Sequence, residues 1–210
     1  MKKQGTLVVV SGFAGTGKGT VMKELMNRYD CYSLSVSVTT RNPRPGEVDG
    51  QSYFFKTTEE FEKMIEQDEF IEYAYYVGNY YGTPKKYVQE QLEAGKDVIL
   101  EIEIQGAINI KSQFPDTLLL FIAPPSADVL RDRLVGRGTE TMEVIGQRLE
   151  RAVEESRGIE NYDYMVVNDD LDECVENVHH VIQSVGWKMS RRAADIEKLR
   201  NQISKFSKGE

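Results

Sequence analysis

A chain of 210 residues is long enough to bury one substantial core, and its 40% hydrophobic and 29% charged residues are ordinary for a globular protein. The formal net charge of −8 argues against broad, nonspecific binding to nucleic acid, and the two cysteines, Cys31 and Cys174, do not make a disulfide framework. The first apolar run is too short for a signal peptide and no stretch reaches the length of a membrane span, so we expect a cytoplasmic protein.

Strand-like and helix-like segments alternate along the chain, which predicts an α/β fold with a parallel sheet flanked by helices. A buried strand is predicted for residues 6–11 (TLVVVS), and the apolar residues of 20–29 follow with helical spacing. Further strands are predicted within residues 97–106, 117–125 and 162–169, and a long helix over 171–185. Between about 37 and 90, turn-forming residues with Pro43 and Pro45 exclude a continuous helix and predict an inserted lobe.

The glycine-rich stretch GFAGTGKGT, residues 12–20, lies between the first strand and the first helix; we call it the phosphate loop. Its glycines allow a turn whose N–H groups cradle phosphate oxygens, the following helix adds its positive end, and Lys18 adds a charge. The usual pattern, G-x-x-x-x-G-K-[ST], places a hydroxyl directly after the lysine, whereas here Gly19 intervenes. We therefore predict a nucleotide-phosphate site in which Thr20 supplies the hydroxyl toward phosphate or water-bound Mg²⁺.

Four more stretches follow in order: residues 35–55 (SVSVTTRNPRPGEVDGQSYFF), 70–84 (FIEYAYYVGNYYGTP), 101–107 (EIEIQGA) and 133–141 (RLVGRGTET). Together with the Gly-Lys-Gly-Thr ending of the phosphate loop, they resemble the guanylate kinase family over about residues 5–187. The resemblance implies a P-loop core with a GMP-binding lobe at about 37–90 and a mobile lid at about 126–158. It also implies transfer of the γ-phosphoryl group of ATP to GMP, and to dGMP, with Mg²⁺ as cofactor.

On the donor side, the resemblance assigns to ATP the residues Gly12, Phe13, Ala14, Gly15, Thr16, Gly17, Lys18, Gly19, Thr20 and Asn168. The family commonly has Pro-Ser where this chain has Phe13-Ala14, which we expect to tune binding. Asn168 is placed beside adenine, although a plain strand-to-helix turn is an equal alternative. Thr20 and Glu101 are assigned to Mg²⁺ and its waters. The residues assigned to catalysis are Lys18, Arg41, Arg133, Arg137 and Arg148, because arginines stabilise the charge that spreads over the transferred group.

On the acceptor side, Arg41 and Arg44 offer planar forks that suit the phosphate of a nucleoside monophosphate, and Tyr53 and Tyr81 can donate hydroxyls to it. Without the resemblance, a solvated surface loop would be the preferred interpretation of these arginines. Guanine presents donors at N1 and N2 and an acceptor at O6. The residues that the resemblance assigns to its two edges are Glu72, Ser37, Thr83 and Glu103.

The stretch DVILEIEIQG has a second implication. If residues 97–106 form one strand, Glu101 and Glu103 project from the same face, and two like charges there need cations or donors to meet them. Glu103 corresponds to a position that is usually Asp in the family. Its extra methylene leaves open which contact it makes with the guanine amino edge.

The segment 188–210 lies outside the resemblance and is a basic amphipathic tail, with seven basic and three acidic residues and a net charge of +4. An apolar stripe at Ile196, Leu199, Ile203 and Phe206 predicts a helix that packs on its own or a neighbouring subunit, so the protein is a monomer or a homo-oligomer. A nucleic-acid arm is the less favoured interpretation.

Two other classes of function were compared with a kinase. A catalytically inactive, peptide-binding module of the same family typically loses the phosphate loop and the lid arginines, which this chain keeps. A signalling GTPase would read guanine from a base-specific loop near the C-terminus, and the sequence offers none. The enzyme is therefore the favoured prediction.

Overall fold

A computed structural model describes residues 5–76, 78–136 and 141–207. The elements in chain order are β1 (Leu7–Ser11), α1 (Lys18–Arg28), β2 (Tyr32–Leu34), β3 (Val38–Thr39), β4 (Phe54–Phe55), α2 (Thr58–Glu66), β5 (Phe70–Tyr76), β6 (Asn79–Pro84), α3 (Lys85–Glu93), β7 (Asp97–Glu101), α4 (Ile104–Gln113), β8 (Leu118–Ala123), α5 (Ala127–Gly136), α6 (Met142–Ser156), β9 (Tyr164–Val167), α7 (Leu171–Ser184) and α8 (Ala193–Ser207).

The core is a five-stranded parallel sheet in the order β2–β7–β1–β8–β9. Its central strands read as continuous apolar runs because helices cover both faces. On one face, Val8 and Val10 pack with the apolar sides of α1 and α7, and on the other Val9 packs with α3 and α4. The predicted α/β fold, with a parallel sheet flanked by helices, is confirmed.

The strand predicted for residues 97–106 is wrong in its second half. β7 ends at Glu101, and α4 begins at Ile104 because Ile104, Ala107 and Ile110 bury one helical face. Glu103 has an extended backbone, directly precedes α4 and is exposed, whereas Glu101 is half-buried. Glu101 and Glu103 therefore do not share one face of a strand.

Residues 38–84 build a second sheet in the order β4–β3–β6–β5. β5 and β6 form an antiparallel hairpin, and Phe61 of α2 is fully buried against Phe70 and Tyr80. A reciprocal capping box between Thr57 and Glu60 starts α2. This sheet lies in sequence between the core strands β2 and β7, and we call it the lobe sheet.

The segment predicted as a lid contains α5 and α6, which pack through Leu130, Leu134 and Ile145. Phe13 of the phosphate loop packs against the same cluster and also contacts Phe121 of β8, with ring centroids 5.1 Å apart. The phenyl side chain of Phe13 thus joins the phosphate loop both to the core and to helices α5 and α6. Arg137 lies outside the described residues.

The tail forms the predicted helix, α8, but leaves its apolar stripe in solvent. Ile196 is half-buried, but Leu199, Ile203 and Phe206 are 55%, 57% and 84% exposed, so these three residues do not pack on the core of the described chain. Before the helix, Arg191 donates to the Thr6 hydroxyl at 3.0 Å, at the start of β1. Within the described ranges, no helix combines the length and hydropathy that crossing a bilayer requires.

Candidate active site

The phosphate loop joins the carboxyl end of β1 to α1, in the centre of the core sheet. Gly15 and Gly17 have φ of +94° and +84°, a left-handed conformation that favours glycine. Gly12 lies so close to β8 that a Cβ there would be 2.5 Å from the Ile122 carbonyl oxygen. Gly19 has open space around it, so the sequence GKG requires its first glycine and not its second for steric reasons.

Two side chains from outside the phosphate loop hold its backbone. The amide Nδ2 of Asn168 donates to the Thr16 carbonyl oxygen at 2.6 Å, and Arg133 of α5 donates to the same oxygen at 3.4 Å. Asn168 is 6% exposed, and its own N–H donates to the Ala123 carbonyl oxygen. Asn168 therefore braces the loop from the end of β9.

Lys18 and Glu101 are brought together by the adjacency of β1 and β7, in which Val10 pairs with Glu101. Burial raises the pKa of Glu101, and the charge of Lys18 opposes that rise. Thr20 lies in the first turn of α1 and is exposed. The Glu101 carboxylate at the end of β7 and the Thr20 hydroxyl in the first turn of α1 are oxygen ligands of the kind that Mg²⁺ prefers.

A cavity of about 700 Å³ opens between the phosphate loop and α6, and we call it the phosphate cavity. Its lining includes most of the phosphate loop, Glu103 before α4, and Arg148, Arg151 and Glu155 from α6. Arg148 was expected here. Arg151 had no predicted role, because on sequence it looked like an ordinary helix-surface charge.

The predicted phosphate residues of the lobe lie together around an unpredicted carboxylate, Glu47. Arg41 binds both oxygens of Glu47, at 3.0 and 2.8 Å, and the backbone N–H of Arg44 donates to the same carboxylate at 2.7 Å. The hydrogen bond from Arg41 holds the pKa of Glu47 below its ordinary value. The Arg41 guanidinium also lies 5.4 Å from the ring centroid of Tyr53, which is 6.2 Å from that of Tyr81.

The predicted guanine residues lie on the facing strands of the lobe sheet and on the turn before α4. Glu72 and Thr83 form a direct cross-strand pair, and the Thr83 hydroxyl donates to Glu72 at 3.1 Å. Burial raises the pKa of Glu72, and that hydrogen bond opposes the rise. A Cβ at Gly106, in the first turn of α4, would lie 3.3 Å from Oε2 of Glu72.

Two predicted acceptor residues make contacts other than the hydrogen bond between Glu72 and Thr83. Ser37 is half-buried beside β3, where its carbonyl oxygen accepts the Phe54 N–H. Glu103 is exposed and is paired with Arg151 at 3.2 Å. The structure therefore groups the predicted residues in three places: the phosphate loop, the Arg41 cluster and the Glu72 pair.

Comparisons with known proteins agree with one another. The family model described as "Guanylate kinase" matches residues 4–185. Guanylate kinases of Streptococcus pyogenes serotypes M3 and M18 are 50% identical to the chain over 200 residues, covering 95% of this chain and 95% of each relative. The crystal structure of guanylate kinase from Anaplasma phagocytophilum superposes with a TM-score of 0.74 at 31% identity, covering 93% of this chain and 94% of that one.

Proposed function

The chain belongs to the guanylate kinase family, and from that premise we propose how its own residues carry out the transfer of a phosphoryl group from ATP to GMP. The activity is that of an ATP:GMP phosphotransferase, which forms ADP and GDP. The observation that best supports this assignment of residues is the phosphate cavity, because the phosphate loop and the arginine-bearing helix α6 face each other across it.

On the donor side, we assign the triphosphate of ATP to the N–H groups of residues 12–20 and to Lys18. Arg133 already reaches the loop, and Arg148 lines the cavity, so both can bind the charge that develops on the transferred group. Arg137 completes this set by resemblance. Asn168 acts through its brace on Thr16, which keeps the loop shaped for phosphate.

The metal proposed for this site is Mg²⁺. Glu101 and Thr20 would hold it, through water, and when bound with ATP it neutralises charge on the phosphates. Among the described residues, no group of three or more aspartate, glutamate, histidine or cysteine side chains is placed to hold a metal ion.

For the acceptor phosphate, we assign Arg41, Arg44, Tyr53 and Tyr81. Glu47 occupies the fork of Arg41, with its two oxygens placed as those of a bidentate phosphate would be. The phosphate of GMP would therefore displace the Glu47 carboxylate from Arg41. Glu47 keeps the arginine oriented while the site is empty.

For the base, we assign Glu72 to the N1–H and amino edge of guanine, and Ser37 and Thr83 to the O6 edge. Glu103 shares the amino group. Thr83 is 1% exposed and already donates to Glu72, which holds that carboxylate in place before the base arrives. Adenine has a bare acceptor at N1 and would leave Glu72 unpaired.

The alternative, an inactive peptide-binding module, is disfavoured. Such a module has no need for Lys18 at the start of α1, for a carboxylate beside it, or for arginines around an open cavity. We further propose a cytoplasmic enzyme with small-molecule substrates. The net charge of −8 gives no reason to expect a nucleic-acid partner.

The exposed stripe of α8 favours a homo-oligomer. Its spacing alternates between three and four residues, as in the seam of a two-stranded coiled coil. Asp195 and Arg200 flank the seam with opposite charges, so in a parallel pair each Asp195 would face Arg200 of a second copy.

The test of the activity is a coupled assay of ADP release with GMP, dGMP, AMP, UMP and CMP in parallel. We expect turnover with GMP and dGMP, and Lys18→Met should lower it by about a thousandfold while the thermal melt is unchanged. Near-normal turnover in the folded variant would refute the assignment of the phosphate loop to ATP.

A further inference from the structure

Arg151 joins two elements that are distant in sequence. Its Nη2 lies 3.2 Å from Oε2 of Glu103, the residue before α4, and its Nε lies 3.0 Å from Oε1 of Glu155, one turn further along α6. One guanidinium therefore links the second lid helix to the turn that begins α4.

The two carboxylates differ in how much they depend on Arg151. The side chain of Glu155 is only 17% exposed, and its pKa is raised by burial and by the neighbouring Glu103 carboxylate, while Arg151 opposes that rise. Glu103 is 66% exposed, and ion pairs in solvent contribute little to stability. The guanidinium is thus held on α6 by Glu155, and its other edge is presented to Glu103.

The start of α4, which Arg151 contacts through Glu103, also lies beside Glu72. Gly106, three residues after Glu103 and in the first turn of α4, faces Glu72, because a Cβ there would lie 3.3 Å from Oε2 of Glu72. The positive end of α4 favours carboxylates at this place. A base whose N–H groups meet Glu72 therefore lies close to Glu103 as well.

We propose that Arg151 is a positioning residue for base recognition, which holds Glu103 so that its second oxygen accepts the 2-amino group of guanine. This inference rests on the proposed function of Glu103. A carboxylate has two oxygens, and Arg151 contacts Oε2, so Oε1 would be the oxygen that meets the base. Without Arg151, the exposed Glu103 side chain would lose more rotational freedom when the base binds.

Arg151 would differ from the other charged residues of the phosphate cavity in the part of the nucleotide that it affects. An arginine that only binds phosphate acts on any nucleoside monophosphate equally. An arginine that orients Glu103 acts on the 2-amino group alone. Inosine monophosphate is GMP without that group, so the ratio of the two affinities isolates the effect.

The experiment measures dissociation constants for GMP and inosine monophosphate by calorimetry. Arg151→Gln should weaken GMP binding by about two- to tenfold and change the binding of inosine monophosphate by less than about twofold. Arg151→Lys keeps the charge but not the fork that spans two carboxylates, and it should lose selectivity in the same direction. Arg131→Gln is the matched control, because Arg131 pairs only with Asp128 and Asp132 of its own helix in the described structure.

Glu103→Gln tests separately whether Glu103 contacts the base and whether Arg151 positions it. If it leaves the GMP-to-inosine monophosphate ratio unchanged, Glu103 does not read the base, and the assignment of Glu103 and this inference both fail. If Glu103→Gln changes the ratio and neither Arg151 variant does, the assignment stands and the positioning role is refuted. An equal loss for both nucleotides in Arg151→Gln and Arg151→Lys would also refute it.

Discussion

Replacing Glu72 by glutamine tests base recognition with little disturbance of the lobe sheet. Glutamine has the shape of glutamate, and its carbonyl oxygen can still accept the Thr83 hydroxyl that lies 3.1 Å from Glu72. What it loses is the anion that faces the N1–H and amino group of guanine. Hydrogen bonds to a charged group contribute about 1.5–3 kcal/mol, so kcat/KM for GMP should fall about tenfold to a hundredfold.

The same substitution should raise stability at neutral pH. Burial raises the pKa of Glu72 in the folded protein, so folding favours its protonated form. The contribution of this side chain to stability is fully present below its unfolded pKa and is lost as the pH rises through its folded pKa. Glu72→Gln removes that loss, so its melting temperature should exceed that of the wild type at neutral pH, and the difference should shrink toward acid pH.

The assay is kcat/KM for GMP and for AMP in both proteins, with thermal melts over a series of pH values. Arg41 and Arg44 bind phosphate in either nucleotide, so the loss should fall on GMP and AMP should gain in relative terms. An unchanged ratio of GMP to AMP would mean that Glu72 does not read the base. A variant that is less stable than the wild type at neutral pH would refute the burial argument.

Two further predictions concern the phosphate loop and the tail. Gly17→Ala should abolish ATP binding, because φ at Gly17 is +84° and the new Cβ would lie 2.6 Å from Nδ2 of Asn168. Gly19→Ala has open space at a helical position, so it should keep ATP binding and gain up to about 1 kcal/mol of stability, seen as a higher melting temperature. An equal loss of ATP binding in both variants, measured by calorimetry, would contradict this. The double variant Leu199→Asp, Ile203→Asp should sediment as a monomer at concentrations where the wild type sediments as an oligomer, and its melting temperature should be unchanged. A wild type that is monomeric at every concentration would rule out pairing through α8.

Much of the core could be predicted because its signals are local. Strands covered on both faces appear as unbroken apolar runs, as in β1 and β8, and a glycine-rich turn with Lys18 between a strand and a helix is specific to phosphate. The end of β7 could not be predicted in this way. The sequence LEIEI alternates with the period of a strand across the residue where the chain turns into α4, and only the burial of Ile104, Ala107 and Ile110 decides for the helix.

The parts of the site that sequence did not predict are contacts between distant charged residues. Glu47 stands in a turn full of polar residues, and nothing in its spacing shows that it fills the fork of Arg41. Arg151 and Glu103 are 48 residues apart on different elements. Asn168 was expected beside the base of ATP or in a turn, and its amide instead reaches the loop backbone. The apolar stripe of α8 predicts a helix, but the sequence does not show which surface packs against that stripe.

The brace between Asn168 and Thr16 joins residues 152 positions apart, and this has a consequence for synthesis of the chain. A ribosome adds roughly 5–20 residues per second, so about eight to thirty seconds separate the synthesis of the two residues. During that interval the loop exists without the side chain that shapes it, and its neighbour β8 is also still to come. ATP stabilises only a chain that can bind it, by mass action. We therefore expect a nascent chain to gain no stability from cellular ATP until four-fifths of it has been made, and products truncated before Asn168 to lack the nucleotide's protection against unfolding and proteolysis.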